Sequence, residues 1–146
     1  SSTLLRKKQF NIVRIGIVGT GRIAPRFISE SKYVSGLTIE YAYNPIKDSA
    51  RKFEQKEQIK CMTDDYAGFL DKVDAVYIAS PNETHYEYAR NAIESGKHVL
   101  SEKPLAFTRE ESEKLYKLAK NNNIVLMEAV KAAYCPGFQQ LINVAK

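Results

Sequence analysis

Short apolar runs alternate with amphipathic stretches along most of the chain, which predicts a sheet with helices packed on it. The first run, residues 11–18, is β-branched and nearly continuous, as is typical of a strand buried on both faces of a parallel sheet. Further strands are predicted at Leu37–Tyr43, Ile59–Met62, Ala75–Ala79, Val99–Leu100 and Ile124–Met127.

Between these strands, apolar residues recur at helical spacing and several segments carry capping signals. Helices are predicted at Arg22–Ser31, with Pro25 in the first turn, and at Ile46–Gln55. A brief helix capped by Asp64 or Asp65 is predicted to run through Leu70, and a longer one at Glu83–Ser95 has Asn82 as its N-cap. The last of these helices, Arg109–Lys120, starts at a Thr108/Glu111 capping box. This alternation predicts an α/β fold: a doubly wound, mostly parallel sheet between two helical layers.

The length of 146 residues suits one domain with its own core. Residues 1–10 are polar and basic and are predicted to be a disordered segment or a linker, with the α/β domain over residues 11–135. The stretch 136–146 is predicted to be one helix. We expect it to lead out of the finished sheet to a C-terminal substrate domain that is absent from the chain.

Composition excludes several classes of function. The net charge of +5 comes from basic residues spread along the chain, so no stripe for nucleic acid is expected. Apolar runs fall well short of the ~20 residues that span a bilayer. Cys61 and Cys135 are isolated and lack metal-type partners nearby. We therefore expect a cytoplasmic protein with no metal, membrane or nucleic-acid partner.

A glycine motif of the form G-x-G-x-x-A follows the first strand and opens a helix. It consists of Gly19, Thr20, Gly21, Arg22, Ile23 and Ala24. Gly19 permits a tight turn, Gly21 lets the backbone approach a pyrophosphate, and Ala24 lets helix and strand pack closely. The free N–H groups of Arg22 and Ile23 would bind that pyrophosphate at the helix N-terminus. The sequence thus predicts a dinucleotide site; a glycine turn without a ligand is the alternative.

Asn44 and Pro45 stand after the second strand, where a dinucleotide site usually presents an acidic residue to the adenosine ribose. An asparagine can bond a 2′-hydroxyl without repelling a 2′-phosphate, and Lys47 is near enough in sequence to pair with such a phosphate. NAD and NADP both remain open, as does a simple Asn-Pro turn.

Ser80, Pro81 and Asn82 follow the fourth strand, at the carboxyl edge where ligands bind in open α/β folds. Pro81 makes this loop rigid, and Asn82 can bond a cofactor, cap its helix, or do both. His85 is interpreted either as a contact in a cofactor loop or as a packing histidine. His98, which opens the fifth strand, is predicted to be structural.

Glu102, Lys103 and Pro104 end the fifth strand at the same edge. A lysine partly desolvated beside a cofactor could donate to a substrate oxygen or act in proton transfer, with Glu102 and Pro104 fixing its approach. A surface salt bridge is the alternative interpretation of Lys103.

Three segments, GIVGTGRIA, SPNETH and SGKHVLSEKPLAFTREE, resemble the Gfo/Idh/MocA family of glucose-fructose oxidoreductase, inositol dehydrogenases and related sugar dehydrogenases. The resemblance covers essentially Ile12 to Gln140. It implies a Rossmann domain that holds NAD or NADP, and a C-terminal α/β domain that supplies most of the sugar pocket and the subunit contacts of a homo-oligomer.

The resemblance also implies the roles of individual residues. Lys103 would be catalytic, beside the nicotinamide and the substrate. The residues expected to bind the cofactor are Gly19, Thr20, Gly21, Arg22, Ile23, Asn44, Ser80, Pro81, Asn82, His85, Glu102, Lys103 and Pro104. The implied function is hydride transfer between a nicotinamide cofactor and a sugar, polyol or related hydroxyl substrate, with little turnover by this chain alone. A non-catalytic nucleotide-sensing module of a larger fusion protein is the second hypothesis.

Overall fold

The computed structural model describes residues 12–21, 23–32 and 36–129. The predicted linker at residues 1–10, the position of Arg22 and the predicted helix at 136–146 lie outside the described residues. No helix in the described part of the chain is long and apolar enough to cross a membrane.

Within the described residues, six parallel strands form one sheet, in the order β3-β2-β1-β4-β5-β6. Their bounds are β1 (Val13–Val18), β2 (Leu37–Tyr43), β3 (Lys60–Met62), β4 (Ala75–Ile78), β5 (His98–Glu102) and β6 (Leu126–Ala129). The strand order reverses between β1 and β4, so the loops after these two strands separate in opposite directions and leave a crevice between them. The predicted doubly wound parallel sheet is confirmed.

Helices cover both faces of the sheet. Their bounds are α1 (Ile23–Ser31), α2 (Lys47–Glu57), α3 (Tyr66–Asp71), α4 (His85–Glu94) and α5 (Arg109–Asn121). Buried residues of α1 and α2, among them Phe27 and Phe53, pack in one core with Ile15 and Ile17 of β1. Buried residues of α3, α4 and α5 form the second core on the other face, where Phe69 and Ile93 are fully enclosed. The chain therefore forms the predicted three layers.

Two of the predicted caps are confirmed. The Asp65 carboxylate accepts the N–H of Gly68 at 2.8 Å and starts α3. The Thr108 hydroxyl accepts the N–H of Glu111 at 3.1 Å and starts α5. Each satisfies a donor that the first helical turn leaves without an intrahelical partner.

The predicted N-cap at Asn82 is wrong. Residues Asn82–Thr84 form a short 3-10 helix and α4 begins only at His85, with no side-chain cap hydrogen bond at either start. The reason lies in Thr84, whose N–H donates to the Pro81 carbonyl at 2.9 Å and whose hydroxyl lies 2.6 Å from the same oxygen. This local pairing tightens the first turn and leaves the Asn82 side chain exposed.

An ion pair ties β1 to the residue before β4, at the edge opposite the crevice. Arg14 donates to the Asp74 carboxylate through its backbone N–H at 2.9 Å and through its guanidinium at 3.0 and 3.2 Å. Burial acts to raise the pKa of Asp74, but the hydrogen bonds and charge of Arg14, with the charge of Lys97, outweigh it and lower that pKa. The fold therefore favours the ionised carboxylate.

We expect Asp74→Asn to lower the free energy of unfolding by about 1 kcal/mol or less at neutral pH, because both side chains are partly open to solvent. Since the folded pKa is lowered, the contribution is present above the ordinary aspartate pKa of about 4 and disappears as the pH falls through the lower, folded value. Urea unfolding of both proteins between neutral and acidic pH measures this. Asp71→Asn, at an exposed position, should not destabilise the chain; a loss that persists in acid would contradict the ion-pair account.

Candidate functional site

Three loops meet at the carboxyl edge of the sheet and enclose a cavity of about 550 Å³. They follow β1, β2 and β4, the three strands on either side of the point where the strand order reverses. The lining residues are Gly19, Thr20, Gly21, Asn44, Pro45, Ile46, Ala79, Ser80, Pro81, Thr84 and Tyr88. The size and position suit a small organic ligand at a topological switch point.

The two glycines of the motif, Gly19 and Gly21, have different structural roles. Gly19 has φ +91°, and a Cβ atom there would lie 2.6 Å from the backbone of Ser80. A side chain is therefore excluded both by conformation and by space. Gly21 is exposed, and its Cβ would meet only the Ala79 carbonyl oxygen at 3.1 Å. The structure thus needs Gly19 for the turn itself, whereas the bare backbone at Gly21 leaves room beside the cavity.

Asn44 connects the loop after β2 to the glycine turn. Its Oδ1 accepts the N–H of Ile46 at 2.8 Å, and its Nδ2 donates to the Thr20 hydroxyl at 2.6 Å. The first bond forms a side-chain turn, which corresponds to the simple Asn-Pro turn that the sequence offered as the alternative to a ribose contact. One hydrogen of Nδ2 remains for a ligand, since an amide nitrogen carries two.

His85 is buried and does not line the cavity. Its Nδ1 lies 2.7 Å from the carbonyl oxygen of Pro104, and its Nε2 lies 2.7 Å from the carbonyl oxygen of Ser80. The side chain therefore packs between two loops that were predicted to face the cofactor, so the packing interpretation describes its contacts.

The loop after β5 lies at the same sheet edge but outside the cavity wall. Glu102 is half-buried, and burial raises its pKa, while a hydrogen bond from Tyr77 and the charge of His85 act in the opposite direction. Lys103 is exposed, and the peptide that joins it to Pro104 is cis. Leu105, only 1% exposed, anchors the loop in the second core.

The structure therefore gathers only part of the predicted set around one cavity. It brings together Gly19, Thr20, Gly21, Asn44, Ser80 and Pro81, and it leaves Asn82, His85, Glu102, Lys103 and Pro104 off the cavity wall. The position of Arg22 and the side chain of Ile23 lie outside what the structure describes.

The cavity has an apolar wall, formed in part by Ile46 and Tyr88, that the sequence did not predict. Tyr88 sits against Tyr66 with ring centroids 4.9 Å apart, and the Tyr66 hydroxyl donates to the Tyr88 carbonyl at 3.0 Å. No pattern singles out Tyr88, because it lies beside the buried stripe of α4. Ile46 gave a weak signal as a large apolar residue directly after an Asn-Pro turn.

A second cavity, of about 620 Å³, adjoins the glycine turn on the side of α2. It shares Thr20 and Gly21 with the first, and its other lining residues are Pro25, Ser49, Lys52, Phe53 and Lys56. Two lysines on one wall make this cavity a favourable place for an anionic group.

The model of the Gfo/Idh/MocA oxidoreductase family, described by its NAD-binding Rossmann fold, matches residues 13–130. The chain belongs to this family. The match confirms the resemblance that the three sequence segments indicated. It also confirms that the fold is an NAD(P)-binding Rossmann domain.

Relatives within the family act on different compounds. The chain is 36% identical over 132 residues to scyllo-inositol 2-dehydrogenase (NADP(+)) of Bacillus subtilis, covering 89% of this chain and 40% of that protein. It is 32% identical over 139 residues to dTDP-3,4-didehydro-2,6-dideoxy-alpha-D-glucose 3-reductase of Actinomadura kijaniata, covering 91% and 41%. The chain thus spans about two fifths of the length of the curated relatives that it matches.

Solved structures of other proteins share this fold. A 3-ketoreductase from Actinomadura kijaniata in complex with NADP and TDP-benzene matches with a TM-score of 0.72 and 31% identity, over 80% of this chain and 37% of that one. Biliverdin reductase from Synechocystis sp. PCC 6803, in complex with biliverdin and NADP+, matches with a TM-score of 0.73 and 31% identity, over 80% and 37%.

For this NAD(P)-binding domain we expect Gly21→Val to abolish measurable binding of NADH and NADPH, because the new side chain fills the space that the pyrophosphate needs. Overpacking against Ala79 should cost only about 1–3 kcal/mol of stability. Calorimetric titration with thermal unfolding measures both effects.

Two further glycine variants serve as controls. Gly96→Ala lies at a positive φ with no atom near its Cβ, so it should cost about 1 kcal/mol and leave binding unchanged. Gly19→Ala should destabilise the fold itself. Normal nucleotide binding by a folded Gly21→Val chain would show that the glycine turn is not the pyrophosphate site.

Proposed function

We propose that this chain is the cofactor-binding part of an oxidoreductase that transfers a hydride between NAD(P) and a sugar, a polyol or a related hydroxyl compound. The observation that carries the proposal is the cavity at the strand reversal, whose wall has no side chain at Gly21 and which lies at the same edge of the sheet as the loop that bears Lys103. Relatives support the substrate class, since one is a dehydrogenase of scyllo-inositol and another is a reductase of a dTDP-linked deoxysugar.

The residues present fit a dinucleotide. The bare backbone at Gly21 and the N-terminus of α1 would hold the pyrophosphate, where the helix dipole favours negative charge. Pro45, Ile46 and Tyr88 supply an apolar wall that suits the adenine ring. Ser80 and Pro81 border the cavity on the side of β4, toward the loop with Lys103.

The cofactor supplies the acceptor or donor of the hydride, and Lys103 supplies the proton chemistry. When a hydroxyl carbon loses its hydride, the hydroxyl proton must also leave, and an amine at this loop would take it. In the reverse direction the same amine would return the proton to the carbonyl oxygen. Glu102 and Pro104, on either side of Lys103, would fix the approach of its side chain.

NADP is the proposed preference. No described carboxylate stands at the end of β2, where Asn44 replaces the residue that would repel a 2′-phosphate. Lys52 and Lys56 line the cavity next to the glycine turn, and Lys47 begins α2. Two relatives also point to NADP: the scyllo-inositol 2-dehydrogenase is named for NADP(+), and the 3-ketoreductase is in complex with NADP.

We further propose that the substrate is held largely by parts of the protein beyond this domain, which also make the contacts of a homo-oligomer. The support is the length of the relatives, of which the chain spans about two fifths. A cytoplasmic location is proposed as well, in keeping with the free thiol of Cys61.

Lys103→Ala should leave NADPH binding by this chain nearly unchanged. In a protein extended by its natural downstream sequence it should lower kcat by about 10²–10⁴-fold, the usual contribution of a proton-transfer group. Steady-state oxidation of scyllo-inositol and related polyols measures the second effect. Lys117→Ala, exposed on α5, is the matched control and should change neither quantity.

An extended wild-type protein that binds NADPH but exchanges no hydride with any sugar or polyol would contradict the enzymatic proposal and favour a nucleotide sensor.

Lys52→Gln should weaken NADPH binding by about tenfold, equivalent to about 1.4 kcal/mol, while NADH binding stays unchanged, because only NADPH carries the 2′-phosphate. The effect should shrink as salt is added. Arg51→Gln removes the same charge one residue earlier, outside the cavity wall, and should leave the NADPH to NADH ratio unaltered. Equal weakening of both cofactors would overturn the assignment of Lys52 to the 2′-phosphate.

A further inference from the structure

The chain has two histidines, of which one faces a hydrogen-bond donor and the other faces two acceptors. At the start of β5, the Nδ1 of His98 accepts the backbone N–H of Val125 at 3.0 Å. A ring nitrogen that accepts an N–H carries no proton, so this imidazole is neutral. Burial lowers the pKa of His98 in agreement with that state, against the opposing charge of Asp74.

His85 faces acceptors on both sides. The carbonyl oxygens of Ser80 and Pro104 each lie 2.7 Å from one of its ring nitrogens, and a carbonyl oxygen has no proton to give. A neutral imidazole has one N–H, so one of these two short contacts would set lone pair against lone pair inside a buried site. Both contacts become hydrogen bonds only when both nitrogens donate.

We propose that His85 is a doubly protonated clamp that joins the loop after β4 to the loop after β5, and that it thereby positions Lys103 relative to the cofactor cavity. The clamp itself stands on the two carbonyl contacts alone. Its consequence for Lys103 rests on the proposed function, because Lys103 is the residue directly before the clamped Pro104.

The charges around His85 suit this state. Glu102, at the end of β5, interacts with it electrostatically and is the carboxylate that offsets its charge in a half-buried setting. Lys103 carries the same sign but is exposed, so water screens it. In the loop after β4 the Ser80 hydroxyl pairs with Thr84, which leaves the Ser80 carbonyl as the group that faces the ring.

A clamp of this kind acts through position and leaves neither nitrogen for the cofactor. Deprotonation removes one of the two hydrogen bonds and releases one loop from the other. We therefore expect NADPH affinity to fall as the pH rises through the deprotonation of His85. A histidine that merely filled space would give no such dependence.

The protonation state is tested directly in the wild-type chain. Two-bond and three-bond proton–nitrogen NMR spectra of the 15N-labelled protein near neutral pH should show His85 with both nitrogens protonated and His98 with one unprotonated nitrogen. The His98→Phe variant assigns the two sets of signals. An unprotonated ring nitrogen on His85 overturns the clamp, whatever the chain binds.

The positioning role is tested by NADPH titrations of the wild type, His85→Phe and His98→Phe from about pH 6 to about pH 9. His85→Phe lacks both ring nitrogens and therefore both hydrogen bonds, so it should bind about tenfold more weakly than the wild type at the acidic end, and its affinity should be flat with pH. The wild type should approach that level at the alkaline end. His98→Phe, altered at the opposite end of β5, should keep the wild-type pH profile.

The two proposals fail separately. If wild-type protein binds neither NADPH nor NADH, the proposed function falls while the NMR result still decides the clamp. If His85→Phe keeps the affinity and pH profile of the wild type, His85 does not position the loops. Should the variant fail to fold, the pH profile of the wild type together with its NMR titration decides the question, because the two transitions must coincide.

Discussion

The structure of the site depends on one close backbone approach, at the end of β1. The N–H of Gly19 donates to the Tyr43 carbonyl at 2.7 Å, while its Cα faces the Ser80 backbone so closely that a Cβ would lie 2.6 Å away. One residue thus joins the ends of β1, β2 and β4. Because the strand order reverses at this point, the loops beyond the three strands must surround one space, and the cavity follows from that geometry.

Neutral hydrogen bonds then hold the loops in place. Asn44 ties the loop after β2 to Thr20, and Thr84 ties the start of α4 to Ser80. Neither bond carries charge, so neither competes electrostatically for a phosphate that approaches Gly21. Lys52 and Lys56 of α2 take no part in these two hydrogen bonds and line the adjoining cavity. Position and charge are therefore supplied by different residues, which is why a substitution in one group should leave the other largely intact.

Sequence patterns predicted the sheet and the glycine turn well because both are set locally. A buried β-branched run, and a glycine motif between such a run and a helix, are both recognisable in the local sequence. The start of α4 was predicted wrongly. The N–H and the hydroxyl of Thr84 both pair with the Pro81 carbonyl and form a tight first turn, and the capping pattern in the sequence does not reveal this pairing. The two contacts of His85 were equally invisible, because its partners lie 5 and 19 residues away and are backbone atoms.

In the proposed function, the exposure of Lys103 separates cofactor binding from catalysis. An amine that exchanges a proton with a substrate oxygen is most effective where water is excluded, since water screens its charge and competes for its hydrogen bonds. The described residues hold the backbone of this loop firmly, through Leu105 below and Pro104 beside His85, but they leave the side chain of Lys103 open to solvent. The cavity beside Gly21, by contrast, already has its walls. We therefore expect affinity for the nucleotide to be a property of this domain, whereas turnover through the proposed role of Lys103 would require that a substrate and its surroundings cover that side chain.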